Sequence, residues 1–150
     1  MSFELNQIDV MGLSDDQKAA VMDAIVVGVM GDGDVTEAES GRLDKELTRT
    51  PLAATHDGIT KLVLSSRDRL MALKSKEERD AYIRRIADRL PLPHIREKVI
   101  YTMARIAYGN GKPSAAEQEI IEAFAKGFNV SAERMGLIAA QLKNLNRPAT

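Results

Sequence analysis

An internal duplication is the feature that most constrains the fold of this 150-residue chain. When the chain is shifted by 78 residues, two segments coincide in their apolar positions, their glycines and their helix caps. The apolar set Met22, Ile25, Val26 and Val29 falls on Ile100, Met103, Ala104 and Ala107. The loop that begins at Gly31 falls on the loop that begins at Gly109, and Glu39 falls on Glu117. We therefore expect two helix–loop–helix units packed about a pseudo-twofold axis.

Start and stop signals along the chain predict seven helices and no strand. Capping residues or prolines mark most of the starts, and apolar residues at helical spacing follow each of them. The predicted helices begin near Ser14, Thr36, Gly58, Ser75, Pro93, Ser114 and Ser131. The predicted fold is one all-α helical-bundle domain over residues 14–145, with an N-terminal extension over 1–13 and a C-terminal tail over 146–150.

Composition excludes several classes of protein. The chain has no Cys, which rules out disulfides, thiolate metal sites and a Cys nucleophile. Neither a signal peptide nor an apolar run of membrane-spanning length is evident, so we expect a cytoplasmic protein. The net charge of -1 is unevenly distributed. Residues 1–60 hold twelve acids against four bases, whereas residues 61–98 hold eleven bases against six acids.

The first of the two corresponding loops is rich in carboxylates. If Gly33 takes the place of the invariant glycine of an EF-hand loop, Glu39 falls at the position of its last, bidentate glutamate. The earlier ligand positions would be Gly28 and Met30, which supply no acid, so a standard EF-hand is excluded. Turn formation and capping by Thr36 explain most of the loop without any ligand.

The alternative interpretation is an oxygen-rich site for Ca²⁺ or another divalent cation. The acids of the first loop would supply its ligands, joined by two residues of the second loop. The candidate metal-binding residues are Asp32, Asp34, Glu37, Glu39, Asn110 and Glu117.

The motif D-G-x-[V/I]-[S/T]-x-x-E, placed between an apolar helix and an amphipathic one and present twice, resembles the tellurite-resistance TerB family and its TerB-like relatives. The resemblance covers residues 14–144, and the match is closest at Asp32–Glu39. The second copy replaces the Asp with Asn110 and adds Lys112, a departure that weakens a symmetric two-site interpretation. The resemblance implies an all-helical, non-enzymatic stress-response module with an acidic surface that can take divalent cations, sometimes linked to membrane-associated complexes.

The basic helices of residues 61–89, between the two units, support an alternative function. They could dock an acidic protein partner or an anionic membrane surface without any metal, which would place the protein peripherally at a membrane. The candidate partner-binding residues are Arg67, Lys74, Arg84, Arg85 and Arg89. Nucleic acid is not expected because acids interrupt the basic run and the pI is about 6.1. Homodimerisation stays open.

An enzyme is the least favoured interpretation. The chain shows no Glu-x-x-His, P-loop or Gly-x-Ser-x-Gly motif, and no base, nucleophile and orienting group appear together. His56 and His94, the only histidines, are interpreted as surface residues near helix starts.

Overall fold

A computed structural model describes residues 5–30, 65, 68–69, 72–107 and 115–145. The side chains of residues 29, 30, 107, 116, 117 and 143–145 are not among those described. Within these ranges the chain forms six helices and no strand, which confirms the all-α prediction. The helices are α1 (Gln7–Met11), α2 (Asp15–Met30), α3 (Lys76–Arg89), α4 (Pro93–Ala107), α5 (Ala115–Gly127) and α6 (Ala132–Leu145). None of them is long and apolar enough to cross a lipid bilayer.

Five of the seven predicted helices are observed. The other two predicted helices, over about 36–47 and 58–73, lie almost wholly outside the described residues. Of these stretches, Ser65, Asp68, Arg69, Ala72 and Leu73 are described. The first three have helical backbone, whereas Ala72 lies in a turn and Leu73 has no regular structure. α1 was not predicted, and it lies in the stretch 1–13 that was expected to be an N-terminal extension.

The predicted helix starts rest on local hydrogen bonds that the structure contains. At α2, the Gln17 amide donates to the Ser14 hydroxyl at 3.1 Å, and the Ser14 amide donates to the Gln17 side chain at 2.9 Å. Ser75 caps α3 in the same way by accepting from the Glu78 amide at 3.1 Å. α4 begins at Pro93, as predicted. The predicted caps Thr36 and Ser114 lie outside the described residues.

α2 is the central helix of the bundle. An apolar stripe on one face was predicted, but every side chain from Ala20 to Val27 is buried, which corrects that expectation. The helix is covered on several sides because it packs against α3, α4 and α5. The side chains of a helix surrounded in this way must be small or apolar around its whole circumference. Asp23, only 2% exposed, is the one charged residue among these buried positions of α2.

Two glycines let helices approach closely. A Cβ at Gly28 would lie 2.5 Å from the Met103 sulfur and 2.9 Å from its Cβ, so α2 and α4 pack together at this point. A Cβ at Gly127 would lie 2.6 Å from the Ile83 side chain, which brings α5 against α3. Gly127 was predicted to end α5, and the helix does end there. The left-handed residue that follows is Asn129, with a φ of 58°.

Arg96 joins the carboxyl-terminal ends of two helices. Its guanidinium donates to the carbonyl oxygens of Ala87 at 2.7 Å, Leu90 at 2.5 Å and Phe128 at 3.2 Å. The last carbonyls of a helix have no partner inside it and carry its partial negative charge. A single cation therefore satisfies the ends of both α3 and α5.

Candidate functional site

The predicted cation ligands fall almost entirely outside the described residues. Asp32, Asp34, Glu37, Glu39 and Asn110 all lie in the undescribed stretches. The backbone of Glu117 lies in the first turn of α5, and its side chain is not described. The cation site therefore stays a prediction.

The helices that lead into the two predicted loops can be described. α2 ends at Met30 and α4 ends at Ala107, in corresponding places of the two units. The contact between Gly28 and Met103 lies close to both ends. At about 1.5 Å per residue, α2 continues for about 3 Å and α4 for about 6 Å beyond it. Because packed helix axes lie about 8–10 Å apart, the two helix ends lie within about 20 Å of each other.

The most elaborate polar arrangement in the described part surrounds Asp23. The Asp23 carboxylate accepts hydrogen bonds from Arg69 on one oxygen and from Arg89, at 3.2 Å, on the other. Arg69 also donates from Nε to the Tyr82 hydroxyl at 3.3 Å. We refer to Asp23, Arg69, Tyr82 and Arg89 as the Asp23 cluster. It ties α2 to α3 and to the helical residues around position 69.

Arg89 extends the Asp23 cluster toward the surface. Its Nε and Nη2 donate to the two carboxylate oxygens of Asp16 at 3.2 and 3.0 Å, and Nη2 also donates to the Asp16 carbonyl. A planar guanidinium matches a carboxylate in this two-point manner. Arg89 therefore bridges Asp16, an exposed acid at the start of α2, and Asp23, a buried acid about two turns further along the same helix.

Protonation in the Asp23 cluster is set by burial and by these hydrogen bonds. The hydrogen bond to Asp23 raises the pKa of Arg69, although burial opposes it. For Arg89, burial lowers the pKa, but the hydrogen bonds to Asp16 and Asp23 together outweigh it and leave the pKa raised. Burial raises the pKa of the Tyr82 hydroxyl. Both arginines are thus held as cations and Tyr82 as a neutral phenol.

Asp23 was not among the functional residues predicted from the sequence. A signal was present, because Asp23 is the only charged residue between Lys18 and Met30 in an otherwise apolar helix. A buried carboxylate requires a cationic or hydrogen-bonding partner, so the residue should have prompted a search among the arginines of 67–89. Which arginines pair with it depends on the packing of α2 against α3.

The predicted partner-binding residues separate into two groups. Arg89 is engaged with Asp16 and Asp23. Arg84 and Arg85 are exposed on α3, with the Arg85 guanidinium 5.8 Å from the centre of the Tyr82 ring, and Lys74 is exposed just before α3. Arg67 lies outside the described residues. Among the predicted set, the described residues that present charge to solvent are therefore Lys74, Arg84 and Arg85.

Two further ion pairs hold helices to α4. Lys98 donates to Asp9 of α1 at 2.7 Å, and both side chains are largely buried. Arg134 of α6 pairs with Glu97 through two hydrogen bonds of 3.0 and 2.7 Å. Within the described ranges, no three Asp, Glu or His side chains are grouped so that they could hold a metal ion.

Comparison with known families identifies the domain. The chain has no significant match among curated proteins or among solved structures. The family model described as tellurite resistance protein TerB matches residues 20–140, most of the chain, including the ranges of α3 and α4 and both predicted loops. The helical architecture and the match over both duplicated units agree with the resemblance seen in the sequence. The chain belongs to the TerB family of tellurite resistance proteins.

Proposed function

We propose that this TerB domain is a non-enzymatic stress-response and interaction module that binds a divalent cation through its two corresponding loops. Family membership supports the relation to tellurite resistance. The carboxylates in the sequence of the first loop supply the chemistry that Ca²⁺ prefers. The non-enzymatic part of the proposal rests on the absence of any catalytic motif in the sequence.

The observation that carries the proposal is the close approach of α2 and α4 at Gly28 and Met103. Because α2 and α4 approach closely here, the two predicted loops follow neighbouring helix ends. Residues of both loops can then bind one ion together. A single shared site suits the sequence better than two separate ones, because Ca²⁺ takes six to eight oxygens and neither loop alone has that many side-chain ligands. In this arrangement Asp32, Asp34, Glu37 and Glu39 are the main ligands, with Asn110 and Glu117 contributing from the second loop.

The experiment is an amide NMR titration of the chelator-treated protein with Ca²⁺ and, separately, with Mg²⁺. We expect saturable shifts for residues near 31–39 and also near 109–117, with one common midpoint because a single ion is shared. The double variant Asp32→Asn/Asp34→Asn should lose both sets of shifts. Spectra that stay unchanged up to millimolar Ca²⁺ would contradict the proposal.

A matched control separates a specific site from general attraction of cations to acidic surfaces. The double variant Asp15→Asn/Glu122→Gln removes two exposed acids that lie outside both loops. It removes two negative charges, as the loop variant does, and we expect it to leave the titration unchanged. Equal losses in the two variants would show that only nonspecific screening is observed.

The second candidate function is a metal-independent docking domain that uses its basic surface. The exposure of Lys74, Arg84 and Arg85 favours it. The partner would be an acidic protein or an anionic membrane surface at which the domain is peripheral. Binding that weakens with salt and with the double reversal Arg84→Glu/Arg85→Glu, but that ignores a chelator, would favour this function over the first.

A further inference from the structure

The outward side of α3 is made of charged residues whose side chains are all exposed. Five of them lie within about 60° of the direction of position 81 on the helix circumference, opposite the buried side chains of Ile83 and Ile86. A sixth stands just before the helix. We refer to these residues as the α3 face, which consists of Lys74, Glu77, Glu78, Arg84, Arg85 and Asp88.

The charges of the α3 face are not neutralised within the chain. Other charged residues of α3, namely Lys76, Arg79 and Arg89, contact acids of α2 or α5. Within the described part of the chain, no ion pair involves a residue of the α3 face. The Glu78 carboxylate uses one oxygen to accept a hydrogen bond from the Lys74 backbone amide. The α3 face therefore offers six charges to another molecule.

The order of signs along the α3 face is its own inverse. From the first residue to the last it runs positive, negative, negative, positive, positive, negative. The acids at 77 and 78 and the arginines at 84 and 85 are about 10 Å apart along the axis, too far to pair within one helix. In an antiparallel pair with its twofold axis at position 81, position 74 meets 88, position 77 meets 85 and position 78 meets 84. Each of these contacts joins a base to an acid, and each occurs twice.

The sign order selects one register and one kind of partner. Sliding one helix by a turn sets position 88 against 77 or 78, or position 74 against 84 or 85, and all four contacts join like charges. The α3 face has three bases and three acids, so a uniformly acidic or uniformly basic partner would meet as many like charges as opposite ones. A second copy in the stated register meets only opposite charges.

We propose that two copies of the chain associate through antiparallel α3 helices, with position 77 of each copy against 85 of the other, 78 against 84 and 74 against 88. Charge pairs at the outward positions of paired helices select the partner and its orientation, although each exposed pair contributes little to affinity. We therefore expect a weak dimer with a Kd of about 0.1–1 mM at low ionic strength, which dissociates as salt is added. The dimer does not depend on cation binding by the loops.

The test is sedimentation equilibrium of the full chain up to about millimolar concentration, at ionic strengths of about 20 mM and about 0.5 M. Glu77→Arg and Arg85→Glu should each weaken the dimer by at least about tenfold, because each reversal replaces two attractive contacts with two repulsive ones. An equal mixture of these two variants should associate as tightly as the unaltered chain. In the mixed dimer, both contacts between positions 77 and 85 again join opposite charges.

A second mixture tests the register with the same total charge. When Glu77→Arg is mixed with Arg84→Glu, two contacts between like charges remain, so we expect no recovery of the dimer. All three substitutions lie at exposed positions, and circular dichroism should show unchanged helicity. A chain that stays monomeric at millimolar concentration and low ionic strength overturns the proposal. A dimer that is indifferent to salt or to either reversal, or that recovers equally in both mixtures, overturns it as well.

Discussion

Asp23 lies in the middle of a buried helix, and Arg89 reaches it from the last turn of α3 with an Nη1–Oδ2 distance of 3.2 Å. Arg89 comes from a surface position and is itself only partly exposed, at 31% of its side chain. Together with Arg69 it neutralises a carboxylate that has almost no access to water. The Asp23 cluster is therefore a set of polar contacts that joins α2, α3 and the residues around position 69 inside an apolar bundle.

Removal of the Asp23 carboxylate should be strongly destabilising. Asp23→Ala leaves the guanidinium groups of Arg69 and Arg89 without their buried counter-charge, and we expect a loss of about 3–5 kcal/mol in the free energy of unfolding. Urea denaturation followed by circular dichroism measures it. Asp16→Ala removes the exposed acid that also pairs with Arg89, and it should cost no more than about 1 kcal/mol. Similar losses for the two variants would contradict a special role for the buried acid.

Gly28→Ala should destabilise the contact between α2 and α4. The added methyl group would lie 2.5 Å from the Met103 sulfur, so the side chain or the helices must move, at a cost of about 1–3 kcal/mol. The double variant Gly28→Ala/Met103→Ala should be less destabilised than the sum of the two single variants, because the shortened side chain makes room. Thermal unfolding of the unaltered chain, the two single variants and the double variant measures this double-mutant cycle.

The sign of the glycine effect should reverse at Gly136. There the methyl group enters open space, and the higher helix propensity of alanine should stabilise the single chain by up to about 1 kcal/mol. Thermal unfolding of the variant beside the unaltered chain measures this gain. A loss of stability in Gly136→Ala would contradict the open space found around Gly136.

Arg96 should matter more than any exposed arginine of α3. Arg96→Met keeps most of the side-chain volume but removes the guanidinium that donates to three carbonyl oxygens at the ends of α3 and α5, of which Ala87 still accepts from the Leu90 amide, at a cost of about 2–3 kcal/mol. Arg84→Met is the matched control at an exposed position and should change stability by less than about 0.5 kcal/mol. Amide hydrogen exchange should show the loss of protection concentrated at those two helix ends.

The Asp9–Lys98 pair should contribute a stability that acid removes. Burial pushes the pKa of Asp9 up, but the hydrogen bonds from Lys98 and the Asn6 amide and the charges of Lys98 and His94 outweigh it and lower the pKa. A carboxyl with a lowered pKa in the folded state stabilises the protein fully above its unfolded value of about 4, and the contribution is lost as the pH falls through the folded value. The advantage of the unaltered chain over Asp9→Asn should therefore be largest near neutral pH and should shrink below about pH 4. An advantage that is constant from pH 7 to 2 would show that ionisation of Asp9 is not its source.

The sequence predicted those features of the fold that depend on neighbouring residues. The starts of α2, α3 and α4 follow from Ser14, Ser75 and Pro93 because a cap acts within one turn of its own helix. α1 was missed because a helix of five residues shows no apolar period. Its capping box between Asn6 and Asp9 was the available signal.

Features that depend on residues far apart in the sequence were harder to predict. The pairing of Asp23 with Arg69 and Arg89 spans 46 and 66 positions, and no local pattern selects these two arginines among the many of residues 67–89. The burial of α2 on all sides from Ala20 to Val27 was underestimated for the same reason, since the cover over its other faces comes from α3 and α5. The family motif predicts the two loops, and the contact of Gly28 with Met103 adds that the helices that precede them meet.

The central place of α2 has a consequence for the order in which the protein can form during synthesis. α2 leaves the ribosome before the helices that cover it, because α3 to α5 begin some 60 to 100 residues later. Until they are made, an apolar segment with one isolated acid has none of these helices to pack against, and such segments aggregate or engage chaperones. We therefore expect a chaperone to bind a nascent chain that is stalled before Pro93. A chain stalled after α5 has left the ribosome should dissociate from the chaperone.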